Sequence, residues 1–203
     1  MRLFEVQLVF AVMAGPKLAS SLRISRVLVM FDTRDGQTEK IANKISRNIQ
    51  EMRINVDTMN INDTKDIELN YDAILLGGPI HWGSHTQSLS QFVKSNNDKL
   101  NNIPTAFFSV SLAASGDERE QAKAQEYLDD FLKSSTLMPL TSTTMAGALK
   151  YPKYNLLLRW TMKTIVAYSG RSEVNDLSRV YEYTDWSQVD KFTESFIHNV
   201  SQI

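Results

Sequence analysis

The sequence predicts an α/β fold: a doubly wound, five-stranded parallel sheet in the order 2-1-3-4-5, with a basic apolar helical insert before the last helix. Three observations predict it. Strand-like and helix-like segments alternate from Arg26 onward, as in repeated βαβ units. The clearest strand segments are continuous apolar runs, as expected for parallel strands buried on both faces. Polar loops at Asp32–Thr38, Gly78–Thr86 and Ser109–Gly116 follow successive strands, so right-handed crossovers gather them at one sheet edge.

The elements follow in order. Val27–Phe31 is a buried strand, and Ile41, Ile45 and Ile49 repeat at helical spacing behind it. Asn55–Met59 is a short second strand and Ala73–Gly77 a third. Leu89, Phe92 and Val93 mark a helix, and Thr105–Val110 a fourth strand. Asp117 caps a helix with Glu120 at the box position, and that helix carries Tyr127, Leu128, Phe131 and Leu132. A fifth strand covers Thr141–Ala146. The last helix starts at Asp185, with Gln188 at the box position and a stripe of Val189, Phe192, Phe196, Val200 and Ile203.

At 203 residues the chain fits one α/β domain with some residues to spare. We place an N-terminal extension at 1–25 and the domain at 26–203, with the insert at about 147–184. The start, MRLFEVQLVFAVMAG, has the outline of a secretory signal. Glu5 and Gln7 interrupt it and no A-x-A site follows, which favours an extension. A net charge of −1 supplies no global case for nucleic-acid binding. The chain has no cysteine, which excludes disulfides, iron–sulfur ligation and thiol catalysis, so any redox chemistry needs a bound cofactor.

RVLVMFDTRDGQTEKIA, Arg26–Ala42, is the most informative stretch. A strand, a tight polar turn and a helix aim a helix N-terminus at an anion. Thr33, Gly36 and Thr38 supply hydroxyls, amides and a residue tolerant of close approach. Neither a Walker A loop nor a GxGxxG fingerprint is present. The spacing Thr33-x-x-Gly36-x-Thr38 resembles the flavodoxin phosphate loop, which holds flavin mononucleotide (FMN). Read alone, it fits an ordinary strand–helix connection with a hydroxyl N-cap equally well.

After the third strand, Trp82 offers a flat face for an isoalloxazine ring, and Pro79 with the glycines fixes the turn that presents it. His81 and His85 lie four apart with Gly83 between them and no carboxylate at ligand spacing, so no metal site is expected. Ser111 and Leu112, in the turn after the fourth strand, would meet the polar edge of a flavin. From Phe131 to Ser172 there is no Asp or Glu, while six basic residues fall in the span: Lys133, Lys150, Lys153, Arg159, Lys163 and Arg171. Within it, Leu156–Tyr168 is an apolar helical pattern too short to cross a bilayer. Trp160 and Tyr168 suit a headgroup region, with the basic residues attracted to an anionic surface. Packing on the domain itself, or on a second copy in a homo-oligomer, fits the pattern as well.

Three motifs, FDTRDGQT at Phe31–Thr38, AGALKYPKY at Ala146–Tyr154 and YTDW at Tyr183–Trp186, together resemble the flavodoxin-like, menaquinone-dependent protoporphyrinogen oxidases. The resemblance runs from about Arg26 to the C-terminus. It implies FMN as cofactor, protoporphyrinogen IX as donor, and menaquinone or ubiquinone as acceptor. It also implies a cytoplasmic protein held peripherally on the inner face of the cytoplasmic membrane. By position, Thr33, Arg34, Asp35, Gly36, Gln37 and Thr38 would cradle the FMN phosphate. Pro79, Ile80, His81, Trp82 and Gly83 would border the ring. The substrate carries propionates, so Lys150, Lys153, Arg159, Lys163 and Arg171, with Trp160, are candidates for substrate or membrane contact.

The chain departs from the family pattern at Asp32, where Ser is usual, at His81-Trp82, in place of Arg-Tyr, and at the acidic Gly116–Glu120. No residue stands out as a catalytic acid or base. Two alternatives are a flavodoxin-like quinone reductase or electron-transfer protein with another donor, and an interaction module that has lost its flavin, with Asp32 beside the phosphate site as the reason.

Overall fold

The computed structural model describes residues 24–64, 70–153 and 176–203. The sheet grows outward from β1 (Arg26–Phe31), which is buried on both faces. Alternate side chains of a strand point to opposite faces, so β1 divides its residues between two cores. Val27, Val29 and Phe31 pack with Ile41, Ala42, Ile45 and Ile49 of α1 (Gln37–Glu51). Leu28 and Met30 pack on the other side with Leu89, Phe92 and Val93 of α2 (Gln87–Ser95).

The parallel partners of β1 are β2 (Asn55–Asn60) and β3 (Ala73–His81), in register at Val27 with Val56 and Ala73. A short helix α3 (Asn97–Asn102) leads into β5 (Thr105–Ser111), which pairs with β3 and with β6 (Thr141–Ala146). The parallel order is β2-β1-β3-β5-β6, the expected 2-1-3-4-5 when parallel strands alone are counted. α4 (Glu118–Ser135) covers one face with Leu128 and Phe131. The last helix, α5 (Trp186–Val200), covers the other with Val189, Phe196, Ile197 and Val200.

Both anticipated caps are present. The Asp117 carboxylate accepts the Glu120 amide at 3.0 Å, and the Asp185 carboxylate accepts the Ser187 and Gln188 amides. The apolar stripe of α5 stops short of its expected end. The helix closes at Val200, which leaves Ile203 70% exposed beyond it.

Three further features differ from the sequence expectation. β3 continues past Gly77 because Gly78 and Pro79 still pair with Ser109 and Val110 of β5. It then folds back on β4 (Ser84–His85) as a hairpin, pairing Ile80 with His85 and His81 with Ser84. The two ends of the expected insert form an antiparallel ribbon, β7 (Ala148–Lys150) with β8 (Val180–Glu182). Three-residue strands are too short to leave a periodic signal. The apolar pattern Leu156–Tyr168, most of the N-terminal extension, and Arg159, Trp160, Lys163 and Arg171 lie outside the described residues. Among the described residues no helix is long and apolar enough to cross a membrane.

Candidate functional site

The loop from Asp32 to Gly36 turns between β1 and α1 at the carboxyl edge of the sheet, where ligands of such folds sit. Gly36 takes φ 82°, the left-handed conformation that costs glycine little. Its amide donates to the Thr33 hydroxyl at 2.9 Å, closing the turn. Gly36 is the residue before α1, and no side chain caps the helix. The hydroxyl N-cap that the sequence allowed is therefore not what ends this loop. The first amides of α1 are left for another acceptor.

Gln37 and Thr38 are buried at the helix start, Thr33 and Asp35 are half-buried, and Arg34 is exposed. The Gln37 side-chain amide donates to the Thr184 hydroxyl at 3.0 Å, and that hydroxyl donates to the Ala146 carbonyl at 2.7 Å. Because the hydroxyl proton is spent, Gln37 must present its nitrogen to Thr184. Its oxygen Oε1 is thereby left buried without a partner.

Asp32 is only 3% exposed, yet its carboxylate is fully engaged on one side. The Thr86 and Ser88 hydroxyls donate to Oδ2, and the Asn62 side chain donates to Oδ1 at 3.2 Å. Thr86 is also the N-cap of α2, accepting the Leu89 amide at 3.2 Å. The negative charge thus lies at the positive end of α2. It is bonded into the groups that follow β2 and β4.

The β3–β4 hairpin lies next along the edge. Its two turn residues, Trp82 and Gly83, both have positive φ, at 52° and 82°. Paired positive φ values suit the twist of a two-residue hairpin. For a bulky residue such as Trp82 that conformation is strained. The indole is 72% exposed, so packing does not repay the strain. Gly83 lies against the Tyr127 ring of α4, which no sequence signal had linked to this edge.

His81 is half-buried, and burial lowers its pKa, opposed by Asp35 and Asp32 and assisted by Arg34. Those charged neighbours put the hairpin beside the β1–α1 loop. His85 is a different case. It is buried between Phe107 and Phe131, with ring centroids 5.3 and 4.4 Å away. Burial pushes it down to about 4, against the pull of the Pro79 carbonyl and Asp32. It is a neutral core residue.

Ser111 is buried and its hydroxyl accepts the Ala114 amide at 3.1 Å. Leu112 packs on Leu149 and Tyr151 of the insert root. The Gly147 amide donates to the Ser111 carbonyl at 2.9 Å, which ties that root to the end of β5.

The insert root also reaches the β1–α1 loop. The Lys153 amine donates to the Asp35 carbonyl at 3.2 Å. A Cβ placed on Gly36 would lie 3.7 Å from Lys153 Nζ and 3.9 Å from both Lys150 Nζ and Glu39 Oε2. Burial, then the charges of Lys153 and Lys40, lower the Lys150 pKa. On the β8 side, Glu182 pairs with Lys40 of α1. Burial pushes Glu182 up, but Lys40 and the Gln37 and Trp186 side chains outweigh it and hold it below its ordinary value. The sequence had grouped Lys150 and Lys153 with substrate or membrane contact; the fold stands them over Gly36. Among the described residues no cluster of His, Asp and Glu could hold a metal ion.

The flavodoxin domain family matches residues 28–176. The protoporphyrinogen IX dehydrogenase (quinone) of Escherichia coli K12 is 34% identical over 174 residues, 85% of this chain and 95% of that protein. The enzyme of the same name from Leishmania major is 32% identical over 84% of this chain and 74% of its own length. Among solved structures, oxidised flavodoxin 2 from Bacillus cereus superposes with a TM-score of 0.52. It is 17% identical and covers 86% of this chain and 99% of its own, a likeness of fold.

Proposed function

This chain belongs to the flavodoxin domain family and to its protoporphyrinogen IX dehydrogenase (quinone) branch, and we propose that it oxidises protoporphyrinogen IX to protoporphyrin IX at a bound FMN, with a respiratory quinone as acceptor. One observation carries the assignment of the flavin to this edge. An uncapped helix start behind a left-handed glycine lies beside an exposed, strained tryptophan. The first suits a phosphate and the second an aromatic ring. The residues present fit FMN on both counts.

Thr33, Arg34, Asp35, Gly36, Gln37 and Thr38 would hold the phosphate. Thr38 and the free amides of α1 serve as donors. The leftover Gln37 Oε1 is an acceptor and suits a ribityl hydroxyl. Pro79, Ile80, His81, Trp82 and Gly83 would border the ring, with Ser111 and Leu112 at the next turn. Bound there, FMN would supply the redox chemistry that a chain without cysteine lacks. The protein orients the ring and sets the charge around it. His81, whose pKa burial lowers against the pull of Asp35, is the half-buried titratable group of the hairpin.

Asp32 does not argue against a flavin. Its carboxylate is bonded to Thr86, Ser88 and Asn62. The remaining basic and aromatic residues of the insert, Arg159, Trp160, Lys163 and Arg171, supply the contact with substrate propionates or with the inner face of the cytoplasmic membrane in this reading. The protein is then cytoplasmic and peripheral, with the insert as its membrane-facing part.

Anaerobic titration tests the proposal. Purified protein carrying FMN should lose its oxidised-flavin absorbance on addition of protoporphyrinogen IX and regain it on addition of a quinone analogue. Flavin that stays oxidised under porphyrinogen, or that is reduced only by NAD(P)H, would overturn it.

A further inference from the structure

We propose that the Asp32 carboxylate, buried at the root of the β3–β4 hairpin, lowers the redox potential of the cofactor and so biases it toward giving its electrons to the quinone; the proposal rests on the flavin reading above. Asp32 is only 3% exposed. Its amide donates to the Gly77 carbonyl of β3 at 2.9 Å. Its carboxylate accepts the hydroxyl of Thr86, the residue that follows β4. Gly77 and Thr86 stand at the two feet of the hairpin that carries Pro79 to Gly83, the segment assigned to the ring. One residue therefore holds both feet and places a charge between them.

The partners of Asp32 favour its ionised form. Thr86 and Ser88 donate to one oxygen and Asn62 to the other, and the positive end of α2 begins at Thr86. All three donors are neutral, so they solvate the charge without cancelling it. That charge is felt along both strands of the hairpin, where Asp32 favours the protonated forms of His81 and His85 against burial. Other charges share this edge: Arg34 and Asp35 act on His81, while Glu39, Lys150 and Lys153 stand over Gly36. Exchanging Asp32 for Asn leaves all of them in place. The sign of the Asp32 contribution therefore does not depend on how they balance.

Reduction of the ring fixes that sign. The porphyrinogen gives up two electrons and two protons. The ring keeps both electrons and one proton, and the other proton leaves to water. The reduced ring then carries one negative charge more than the oxidised ring, until the quinone takes the two electrons with two protons. A fixed carboxylate nearby disfavours the extra charge and hardly affects the neutral oxidised ring. Asp32 thus weakens the reduced cofactor relative to the oxidised one, which is a lower potential. At an effective dielectric constant of about 20, a unit charge changes an equilibrium constant about tenfold even at roughly 12 Å. Burial keeps salt from screening this charge as it screens a surface one.

The midpoint potential of the full chain carrying FMN, read spectrally against a reference dye, tests the proposal. Asp32→Asn should hold reduced FMN about tenfold more tightly relative to oxidised FMN, a rise of about 30 mV for a two-electron couple. Asp32→Ser is the second neutral variant and should shift the potential the same way. Ser88→Ala removes a donor from the carboxylate but keeps its charge, so its potential should not rise. In acid the reduced ring keeps its second proton and is neutral, and the difference between wild type and Asp32→Asn should shrink. An unchanged potential in both neutral variants, an equal rise in Ser88→Ala, or a difference as large in acid as in alkali would overturn the proposal and leave the flavoprotein reading intact. A wild-type chain that binds no flavin would overturn both.

Discussion

Replacing His85 with leucine should remove a pH dependence that can be calculated from its surroundings. The imidazole is 8% exposed, wedged between Phe107 and Phe131. Burial takes its pKa from 6.5 to about 4. An unfolded chain therefore binds a proton near pH 6.5 that the folded chain refuses until about pH 4. Between those values the unfolded state holds more protons, so stability falls as pH falls. At 1.36 kcal/mol per unit the whole shift is worth about 3 kcal/mol, and roughly 2 kcal/mol of it is lost between pH 7 and pH 5. His81 is also lowered by burial and acts in the same direction, so the measurement has to be a difference. Asp57 is lowered by hydrogen bonds from Arg26 and Tyr71. Asp72 is lowered by the Ser25 and Arg26 groups against the effect of burial. Their stabilisation is present above the ordinary value of 3.8 and is lost only below it, so they do not intrude on this window. Urea unfolding at pH 7 and pH 5 is the assay. The wild-type chain should lose about 2 kcal/mol more than His85→Leu. Equal losses would refute the account of His85 as a buried neutral base.

Trp82→Ala should weaken FMN by roughly ten- to a hundredfold, from a stacking contribution of about 1–3 kcal/mol. Thermal unfolding of the apoprotein should barely move, because the indole is 72% exposed. Asp32→Asn should lower the unfolding free energy by roughly 1–3 kcal/mol, since three donors lose a charged acceptor. Urea denaturation reads that loss. Gly77→Ala should destabilise by about 1–3 kcal/mol, because the added methyl runs into the Phe108 ring that β5 packs against β3. Phe108→Leu in the same chain should recover part of it in a thermal melt.

Much of the framework is legible in the sequence because long elements leave long patterns. Val27–Phe31, Ala73–Leu76 and Thr105–Val110 read as buried strands since both faces meet a helical layer. Asp117 and Asp185 read as caps because capping is a local bond between near neighbours. What the sequence hides depends on reversals of the chain. The direction of the Asp32 carboxylate is set by Thr86 and Ser88, more than fifty residues away. The burial of His85 follows from a two-residue turn at Trp82 and Gly83 whose positive φ values only glycine could have advertised. Lys150 and Lys153 look like surface charge in an acid-poor stretch. Only the three-residue pairing of β7 with β8 turns them toward Gly36.

The distribution of charge around the loop has a consequence for how the cofactor site is held. On the α2 side the buried Asp32 carboxylate meets the N-terminus of that helix. On the insert side Lys150 and Lys153 overhang Gly36, with the Glu39 carboxylate beside them. The buried Asp32 carboxylate is already satisfied by hydroxyl and amide donors. The contacts that set this arrangement are individually weak. The Lys40–Glu182 pair is partly solvent-exposed, and such pairs contribute about 0–1 kcal/mol. Acting in series with Gln37–Thr184 and Lys153–Asp35, they fasten both ends of the insert to the first turn of α1. A ligand held at the first turn of α1 meets the same ribbon. Cofactor affinity and the placement of the insert root are then two readings of one free energy, and a change at either should be felt at the other.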